Sequence, residues 1–420
     1  MIDPPLPGAS IETGPSDWQI LQQETNGVAA LELAGVHRTD APEYRVEVRV
    51  VCESNGAPVS AALDWQPAQL LPGNRWRMTL TGLPAGGLYR VETRVWRDHC
   101  ADTRPMRGDY LHHLGVGDLW VIAGQSNASG TGTGYVDDPP TLGVHLFGND
   151  ERWKLACHPL EDATRSLHTI TVHGVFQAHS PWLAFGRLLL SQLNYPVGLI
   201  PTALGGSPLS AWMEGEDLYV NMLDMVRLAG GRVRGMVWYQ GESDCAPRPC
   251  EDYIKRFTRF VAAARRDLGA PELPILTAQL GRYAAPADEE NHRSWTRLRE
   301  AQRQAAQTLL GVELIPTVDL SLCDEIHLSA PANVLLGQRF AREALRAVYG
   351  RNLSRTAIAL RGAEVAKNRS VVVLKVERPA AGWCWVGQGP DFVAEDEAGL
   401  VAVTQVAPYD DGGIELHLAR

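Results

Sequence analysis

An aspartate and a histidine three residues apart are the most informative pair in the sequence. Asp324 and His327 frame the run Asp-Glu-Ile-His, which follows a predicted strand. At this spacing the carboxylate can accept a hydrogen bond from the imidazole Nδ1–H, and Nε2 is then free to take a proton from a hydroxyl. Ser126 is the candidate hydroxyl, because it lies in the turn Gly-Gln-Ser-Asn directly after the β-prone run Asp118–Ala123. The pattern predicts a serine nucleophile with a histidine base.

Two further blocks follow predicted strands and could stabilise an oxyanion. Gly205 and Gly206 allow the backbone to approach a ligand closely, since no Cβ intervenes. Gln240, in the run Trp-Tyr-Gln-Gly-Glu-Ser-Asp, offers a side-chain N–H₂. The Ser126 N–H is the third expected donor. A tetrahedral intermediate needs such donors aimed at the oxygen that becomes charged.

Glu242 is a second carboxylate next to these blocks, and the sequence leaves its role open. It could orient His327 in place of Asp324, contact substrate, or serve as a buried structural carboxylate. Spacing favours Asp324 as the residue that orients the imidazole. Trp212 is the candidate aromatic for substrate contact, because it follows the glycine pair and an aromatic face can stack on a sugar.

The elements that must position these residues form an α/β domain between residues 116 and 350. Strand-like runs alternate there with helical patterns, which predicts a doubly wound parallel sheet of five strands with its ligands at the strands' C-terminal ends. The predicted strands are Asp118–Ala123, Val197–Ala203, Arg234–Tyr239, Leu273–Gln279 and Val312–Val318. The predicted helices are Trp182–Leu193, Leu218–Ala229, Glu251–Leu268, Arg293–Leu310 and Pro331–Tyr349, of which Arg293–Leu310 is expected to face solvent.

Short β-prone runs on both sides predict flanking β modules. Residues 1–115 resemble a β-sandwich, and residues 351–420 form a β segment expected to pack against it. The strands predicted in this segment are Ala357–Leu360, Ser370–Val376, Leu400–Val406 and Ile414–Leu418. The stretch 130–180 reads as a long loop without regular pattern. Its histidines lack metal-ligand spacing and are expected to be scattered: His145, His158, His168, His173 and His179.

Composition excludes several classes of protein. The chain has 420 residues and a net charge of −10, which disfavours nucleic acid as a partner. No apolar run is long enough to span a membrane. No signal peptide is visible, which favours a cytoplasmic location unless the sequence is that of a trimmed secreted form. Seven cysteines do not suggest a disulfide framework, and two free thiols are favoured over a bridge for Cys245 and Cys250.

The four blocks together resemble the SGNH-hydrolase superfamily, whose catalytic domain has a flavodoxin-like three-layer α/β/α fold. Within it the sequence is most similar to the sialate O-acetylesterase group and the related acetylxylan esterases, over about residues 116–350. The resemblance implies deacetylation of carbohydrate esters by a serine nucleophile, without metal or cofactor. Gln240 stands where the wider superfamily has an asparagine, so its oxyanion role is an inference.

The function expected from the sequence is therefore a serine esterase that removes O-acetyl groups from a sugar. Sialic acid is the first candidate substrate and acetylated xylan the second. Alternatives are a non-catalytic carbohydrate-binding protein on the same scaffold, or a lipase or thioesterase. A substrate carboxylate would require a nearby cation, for which Arg165, Arg248 and Arg282 are candidates. The sequence gives no oligomeric state.

Overall fold

The computed structural model forms two compact units, Met1–Ala344 and Leu345–Arg420. The residues it describes are 8–39, 43–97, 104–172, 178–245, 252–285, 289–355, 358–367, 370–377, 392–409 and 412–419.

Strands dominate both ends of the chain, and helices are confined to its middle. The strands are β1 (Gly8–Thr13), β2 (Ile20–Gln22), β3 (Val28–Arg38), β4 (Tyr44–Cys52), β5 (Gln66–Pro67), β6 (Gln69–Leu71), β7 (Arg75–Pro84), β8 (Gly86–Arg97), β9 (Met106–Gly124), β10 (Val144–Phe147), β11 (Trp153–Leu155), β12 (Val197–Pro201), β13 (Gly235–Tyr239), β14 (Ile275–Ala278), β15 (Val312–Ile315), β16 (Leu360–Val365), β17 (Val371–Val376), β18 (Ala394–Asp396), β19 (Gly399–Val401), β20 (Val403–Pro408) and β21 (Ile414–Leu418). The helices are α1 (Ser126–Ser129), α2 (Trp182–Leu193), α3 (Asp217–Ala229), α4 (Tyr253–Asp267), α5 (Glu289–Thr308) and α6 (Ala330–Ala347).

The five predicted strands lie side by side in one parallel sheet. Its order is β11-β10-β12-β9-β13-β14-β15, and all neighbours are parallel except β10 and β11. After β9 the chain forms β10, β11 and β12 on one side of that strand, and it then crosses to β13 on the other side. The switch point therefore lies at the C-terminal ends of β9 and β13, where such sheets bind ligands. The α/β fold predicted from the sequence is confirmed.

The pair β10 and β11 extends this sheet beyond the five predicted strands. It lies in the stretch 130–180, which was expected to be irregular. β10 has four residues and β11 has three, so neither is long enough to show a strand period in the sequence.

Helices pack in two groups on the two faces of the sheet. In one group α2 contacts α6, with the Trp182 and Phe340 rings 5.0 Å apart. In the other, α4 contacts both α3 and α5. Helix α5, which was predicted to face solvent, does so on one face only, because its other face buries Trp295 and Leu298. Among the helices in the described part of the chain, none combines the length and apolarity needed to cross a lipid bilayer.

The N-terminal β strands form two sheets around one core. The sheet β1-β3-β7-β6 supplies Leu31, Leu33 and Trp76 to that core. The sheet of β4, β8 and the first half of β9 supplies Val48 and Val91. Burial alternates along β3, as expected for a strand with one face inward.

Strand β9 belongs to both the N-terminal module and the parallel sheet. Its beginning pairs antiparallel with β8, and its end pairs in parallel with β12 and β13. Residues Met106–His113 are half-buried or exposed, whereas Leu114–Gly124 are all buried. The change marks the point where both faces of the sheet become covered. The strand runs without a break through the predicted boundary between residues 115 and 116.

The second unit holds the antiparallel sheet β16-β17-β21-β20 and the hairpin of β18 and β19. β21 has the bounds Ile414–Leu418 predicted for it, and β17 begins one residue later than predicted. The predicted run Ala357–Leu360 begins outside the described residues. The three-part division of the chain, and the packing of the C-terminal segment on the N-terminal module, stay predictions.

Candidate active site

Ser126 lies at the switch point of the parallel sheet. It is the first residue of α1, directly after β9, and is 6% exposed. Gly124, at the end of β9, has φ +129°, and a Cβ there would lie 2.1 Å from the Tyr239 carbonyl oxygen. Only glycine fits this approach to β13. Within the described residues the Ser126 N–H has no acceptor, as expected for the first turn of a helix.

The loop between β15 and α6 brings His327 to this serine. His327 Nε2 lies 2.8 Å from Ser126 Oγ. On the other side of the ring, Nδ1 lies 2.6 Å from Asp324 Oδ2. The predicted serine, histidine and aspartate therefore meet in a single hydrogen-bonded chain.

The backbone around Asp324 fixes its carboxylate. Oδ1 accepts hydrogen bonds from the Ile326 N–H at 2.8 Å and the His327 N–H at 2.7 Å. Partial burial acts to raise the pKa of Asp324, but these N–H groups and the His327 ring outweigh it and hold the pKa below its usual range. Asp324 is therefore ionised whenever the imidazole needs an acceptor.

Asn127, the residue after the serine, ties the histidine loop to β13. Its Nδ2 donates to Glu242 Oε1 at 2.7 Å and to the Ile326 carbonyl at 3.1 Å. Its Oδ1 accepts from the Leu328 N–H at 3.0 Å. No role for Asn127 was predicted, because an asparagine in a turn carries no sequence signal of partners about 200 positions away. The structure makes it the link that holds the His327 loop in place.

Glu242 contacts Asn127 rather than the imidazole. Its Oε2 atom is buried and has no hydrogen-bond partner in the part of the chain that the structure describes. Burial raises the pKa of Glu242, and the Asn127 hydrogen bond and the nearby His327 offset this only in part. Of the two carboxylates left open by the sequence, Asp324 is the one on the histidine.

The glycine pair lies in the turn after β12 and lines the same cavity as Ser126. Gly206 has φ +72°, a left-handed conformation that favours glycine, although a Cβ would meet no atom within 4 Å. Within the described residues no acceptor is paired with the Gly206 N–H. Backbone conformation, rather than crowding, explains this glycine.

A cavity of about 500 Å³ opens over the serine. The cavity is lined by Ser126, Gly205, Gly206, Glu242 and His327. Its wall also includes Tyr283, Asn291, Trp295 and Glu325. Tyr283 and Trp295 stack with ring centroids 4.8 Å apart. The Ser126 hydroxyl, the His327 imidazole and the glycine pair thus border one space.

Comparison with known proteins places the chain in a family. A family model described as "carbohydrate esterase, sialic acid-specific acetylesterase" matches residues 116–346, more than half of the chain. The chain belongs to this family. It is accordingly an ester hydrolase of the carbohydrate esterase class, as the resemblance in the sequence implied.

Named relatives agree with the family. A probable carbohydrate esterase of Arabidopsis thaliana is 28% identical over 250 residues, which cover 54% of this chain and 90% of that protein. Human sialate O-acetylesterase is 27% identical over 207 residues, 40% of this chain and 38% of the human protein. A carbohydrate acetylesterase structure from Xanthomonas citri superposes with a TM-score of 0.62 at 19% identity, over 96% of this chain and 89% of that one. This last match shows the shared fold.

The geometry of this esterase does not agree with the oxyanion role predicted for Gln240. Its Nε2 atom donates to Asp244 Oδ2 at 2.7 Å and to the Ser207 carbonyl at 3.2 Å. The side chain is completely buried and does not line the cavity. Through its hydrogen bond to the Ser207 carbonyl, Gln240 stabilises the turn that carries the two glycines.

The expectation that Trp212 contacts substrate is also wrong. Trp212 is completely buried and packs edge-on against Trp238, with ring centroids 5.3 Å apart. Its Nε1–H donates to Ser207 Oγ at 3.0 Å. The cavity wall that the sequence did not indicate is instead formed by Tyr283 and Trp295. These residues lie after β14 and on α5, where no motif marks them.

Two of the loop histidines are not scattered as expected. His158 and His179 stack with ring centroids 4.0 Å apart, and both Nε2 atoms lie 3.1 Å from Asp138 Oδ2. Arg187 pairs with the other oxygen of this carboxylate at 2.5 Å. The Ser180 N–H approaches His158 Nδ1 at 3.4 Å, which leaves the proton on Nε2. The group is a hydrogen-bonded cluster that joins three loop segments.

The remaining predictions concern isolated residues. His145 is buried on β10, and burial lowers its pKa to about 4. His168 lies near Glu151 at 3.3 Å, and His173 lies outside the described residues. Cys245 is buried, while Cys250 lies outside the described residues, so their pairing stays a prediction.

Proposed function

We propose that the protein is a serine carbohydrate O-acetylesterase that works through an acetyl-enzyme. The observation that carries the proposal is the hydrogen-bonded chain from Ser126 Oγ to His327 and on to Asp324, at 2.8 Å and 2.6 Å, on the floor of the cavity. This is the arrangement in which a serine hydroxyl, a base and an orienting carboxylate act together.

In the first half of the reaction, Ser126 Oγ attacks the acetyl carbonyl carbon and its proton passes to His327 Nε2. The carbonyl electrons move onto the oxygen, which the N–H groups of Ser126 and Gly206 stabilise, with Gly205 in the same turn. Asp324 stabilises the imidazolium. As the tetrahedral intermediate collapses, the bond from the acetyl carbon to the sugar oxygen breaks, and His327 gives its proton to the leaving hydroxyl.

In the second half, a water molecule attacks the acetyl carbon while His327 Nε2 removes its proton. The bond to Ser126 Oγ breaks, the serine regains a proton from the imidazole, and acetate leaves. The side chains named here account for every proton, so the residues require no metal or cofactor for these steps.

Replacement of Ser126 tests the nucleophile. Ser126→Ala is expected to lower kcat on an acetylated chromogenic ester by about 10⁴-fold or more, since the attacking oxygen is lost. Ser243→Ala is the matched control, because Ser243 lines the same cavity but is not hydrogen-bonded to the imidazole. It should keep most of the turnover. Substantial activity in a folded Ser126→Ala protein would contradict the proposal. A wild-type protein that binds a sugar ester without releasing acetate would contradict it as well.

For the sugar, we propose O-acetylated sialic acid first and acetylated xylan second. The family description and the name of the human relative support this order. Of the arginines considered for a sugar carboxylate, Arg282 precedes Tyr283 of the cavity wall and donates to the Leu320 carbonyl at 3.1 Å. Arg165 is exposed, and Arg248 lies outside the described residues. Faster acetate release from acetylated xylan than from O-acetylated sialic acid would reverse the order.

A further inference from the structure

A buried carboxyl that the mechanism does not use lies beneath the glycine turn. Glu161 is 1% exposed and lies in the segment between β11 and α2. Its Oε1 accepts a hydrogen bond from the Ala203 N–H at 2.8 Å, and Asn149 Nδ2 lies 3.3 Å from its Oε2. Ala203 is two residues before Gly205. The Glu161 carboxyl is therefore hydrogen-bonded to the beginning of the turn that carries the glycine pair.

A second carboxyl is hydrogen-bonded to the other end of the same turn. Asp244 Oδ2 accepts from the Leu209 N–H at 2.7 Å, and Arg256 pairs with its Oδ1 at 3.2 Å. In the part of the chain that the structure describes, Glu161 has no such cation. The two ends of the turn are thus hydrogen-bonded to two carboxyls, of which Asp244 is paired with an arginine and Glu161 is not paired with a cation among the described residues.

Resting on the esterase function proposed above, we propose that Glu161 is a positioning residue that fixes the glycine turn against Ser126. It touches neither the substrate cavity nor the reacting atoms. It acts through Ala203, whose N–H has no other acceptor in the described residues and whose place sets the start of the turn. Loss of this contact lets the Gly206 N–H move relative to the oxyanion.

The surroundings of Glu161 favour its neutral form. Burial raises its pKa to about 8, and the hydrogen bonds from Ala203 and Asn149 oppose this only in part. Asn149 Oδ1 is buried without a partner among the described residues. The O and N of an amide are assigned from the hydrogen-bond network, and exchanging them lets a protonated Glu161 donate to that oxygen. In that orientation the O–H of neutral Glu161 has an acceptor in the Asn149 amide oxygen.

Charged groups on the neighbouring segments are engaged elsewhere. Asp162 accepts from the Thr164 N–H and hydroxyl, and Lys154 pairs with Asp150. Ionised Glu161 would therefore be an uncompensated negative charge below the turn whose N–H groups must stabilise a second one. Turnover should fall as the pH rises through about 8, where this group ionises.

The test is the pH profile of kcat for wild type and three variants on an acetylated chromogenic ester. Glu161→Gln keeps the acceptor for Ala203 and cannot ionise, so it should retain turnover at pH 7 and lose the decline above about pH 8. Glu161→Ala should lower kcat by on the order of 10–100-fold with little change in KM, because the turn is misplaced. Asp162→Asn removes the adjacent exposed carboxylate and should keep the wild-type profile.

Stability supplies a second readout that does not depend on activity. The folded pKa of Glu161 is above its unfolded value, so the stability of the neutral form is fully present below pH 4.5 and is lost as pH rises to about 8. The difference between the urea midpoints of Glu161→Gln and wild type should therefore grow in favour of the variant from pH 4.5 to about 8. Above about pH 8 this difference should stay constant.

The outcomes separate this inference from the proposed function. An alkaline decline that persists in Glu161→Gln, or full turnover in Glu161→Ala, overturns the positioning role while the esterase stands. A wild-type protein that releases no acetate overturns the esterase, and the urea midpoints then still decide the state of Glu161. A Glu161→Ala protein that does not fold leaves the decision to the Glu161→Gln profile.

Discussion

Two carboxyl groups near His327 have pKa values shifted in opposite directions because their surroundings differ. The Asp324 side chain is about half exposed and receives three hydrogen bonds from N–H groups, which keep its pKa low. Glu242 is buried, with one bond from Asn127, and its pKa is raised. A carboxylate that must stabilise an imidazolium has to be charged, whereas one that only anchors an amide does not. The division of roles follows from solvation and N–H donors.

Replacing Asp324 and Glu242 one at a time distinguishes the roles of the two carboxyls. In Asp324→Asn the side-chain amide faces His327 Nδ1 and favours the tautomer whose Nε2 already carries a proton, so kcat should fall on the order of 10³–10⁴-fold. Glu242→Gln is the matched control, since its amide oxygen can still accept from Asn127. It should keep most of the turnover in the same assay. A larger loss in Glu242→Gln than in Asp324→Asn would assign the orienting role to Glu242.

At the scale of the elements, the ends of β13 and β14 are joined by a side chain from α5. Gln302 Nε2 donates to the Gln240 carbonyl at 2.9 Å, and its Oε1 accepts from the Leu280 N–H at 2.8 Å. The side chain is 2% exposed, so no water can replace these bonds. Gln302 thereby links the chain directly after β13 to the chain directly after β14, next to the switch point.

Removing this link should cost stability before it costs chemistry. Gln302→Ala leaves the buried Leu280 N–H without its acceptor and leaves the Gln240 carbonyl with only the 3.5 Å hydrogen bond from the Tyr253 hydroxyl. The free energy of unfolding should therefore fall by about 1–3 kcal/mol. Gln304→Ala, on the same helix but hydrogen-bonded to Glu300 at the surface, should change it by less than about 0.5 kcal/mol. Urea unfolding followed by tryptophan fluorescence measures both. Equal midpoints for the two variants would mean that the link is not stabilising.

These elements show what could be predicted from the sequence. Parallel strands end at one edge of a sheet, so the motifs after β9, β12 and β15 were predicted to meet, and in the structure they do. The direction of individual side chains could not be predicted. Gln240 and Trp212 follow the right strands but point into the core, because strand alternation and helix packing set their direction. Gln302 and Glu161 carry no local signal, since their partners are distant in sequence.

At the scale of the whole molecule, β9 couples the N-terminal core to the active site within the unit Met1–Ala344. The strand begins in the sheet around Val48 and ends next to Ser126. A strand cannot lose its pairing on one side and keep its place on the other without breaking in between. The two sheets should therefore unfold together as a single cooperative unit.

Three valine-to-alanine changes test this coupling with the same chemistry at each site. Val48 lies in the N-terminal core and Val237 on β13 below the active site, and both are completely buried, whereas Val220 on α3 is 44% exposed. Val48→Ala and Val237→Ala should each destabilise by about 1–3 kcal/mol and lower the urea midpoint for esterase activity together with that for fluorescence. Val220→Ala should leave both midpoints in place. If Val48→Ala shifts only part of the fluorescence change while the activity midpoint stays fixed, the N-terminal module unfolds on its own and β9 does not transmit its stability to the catalytic sheet.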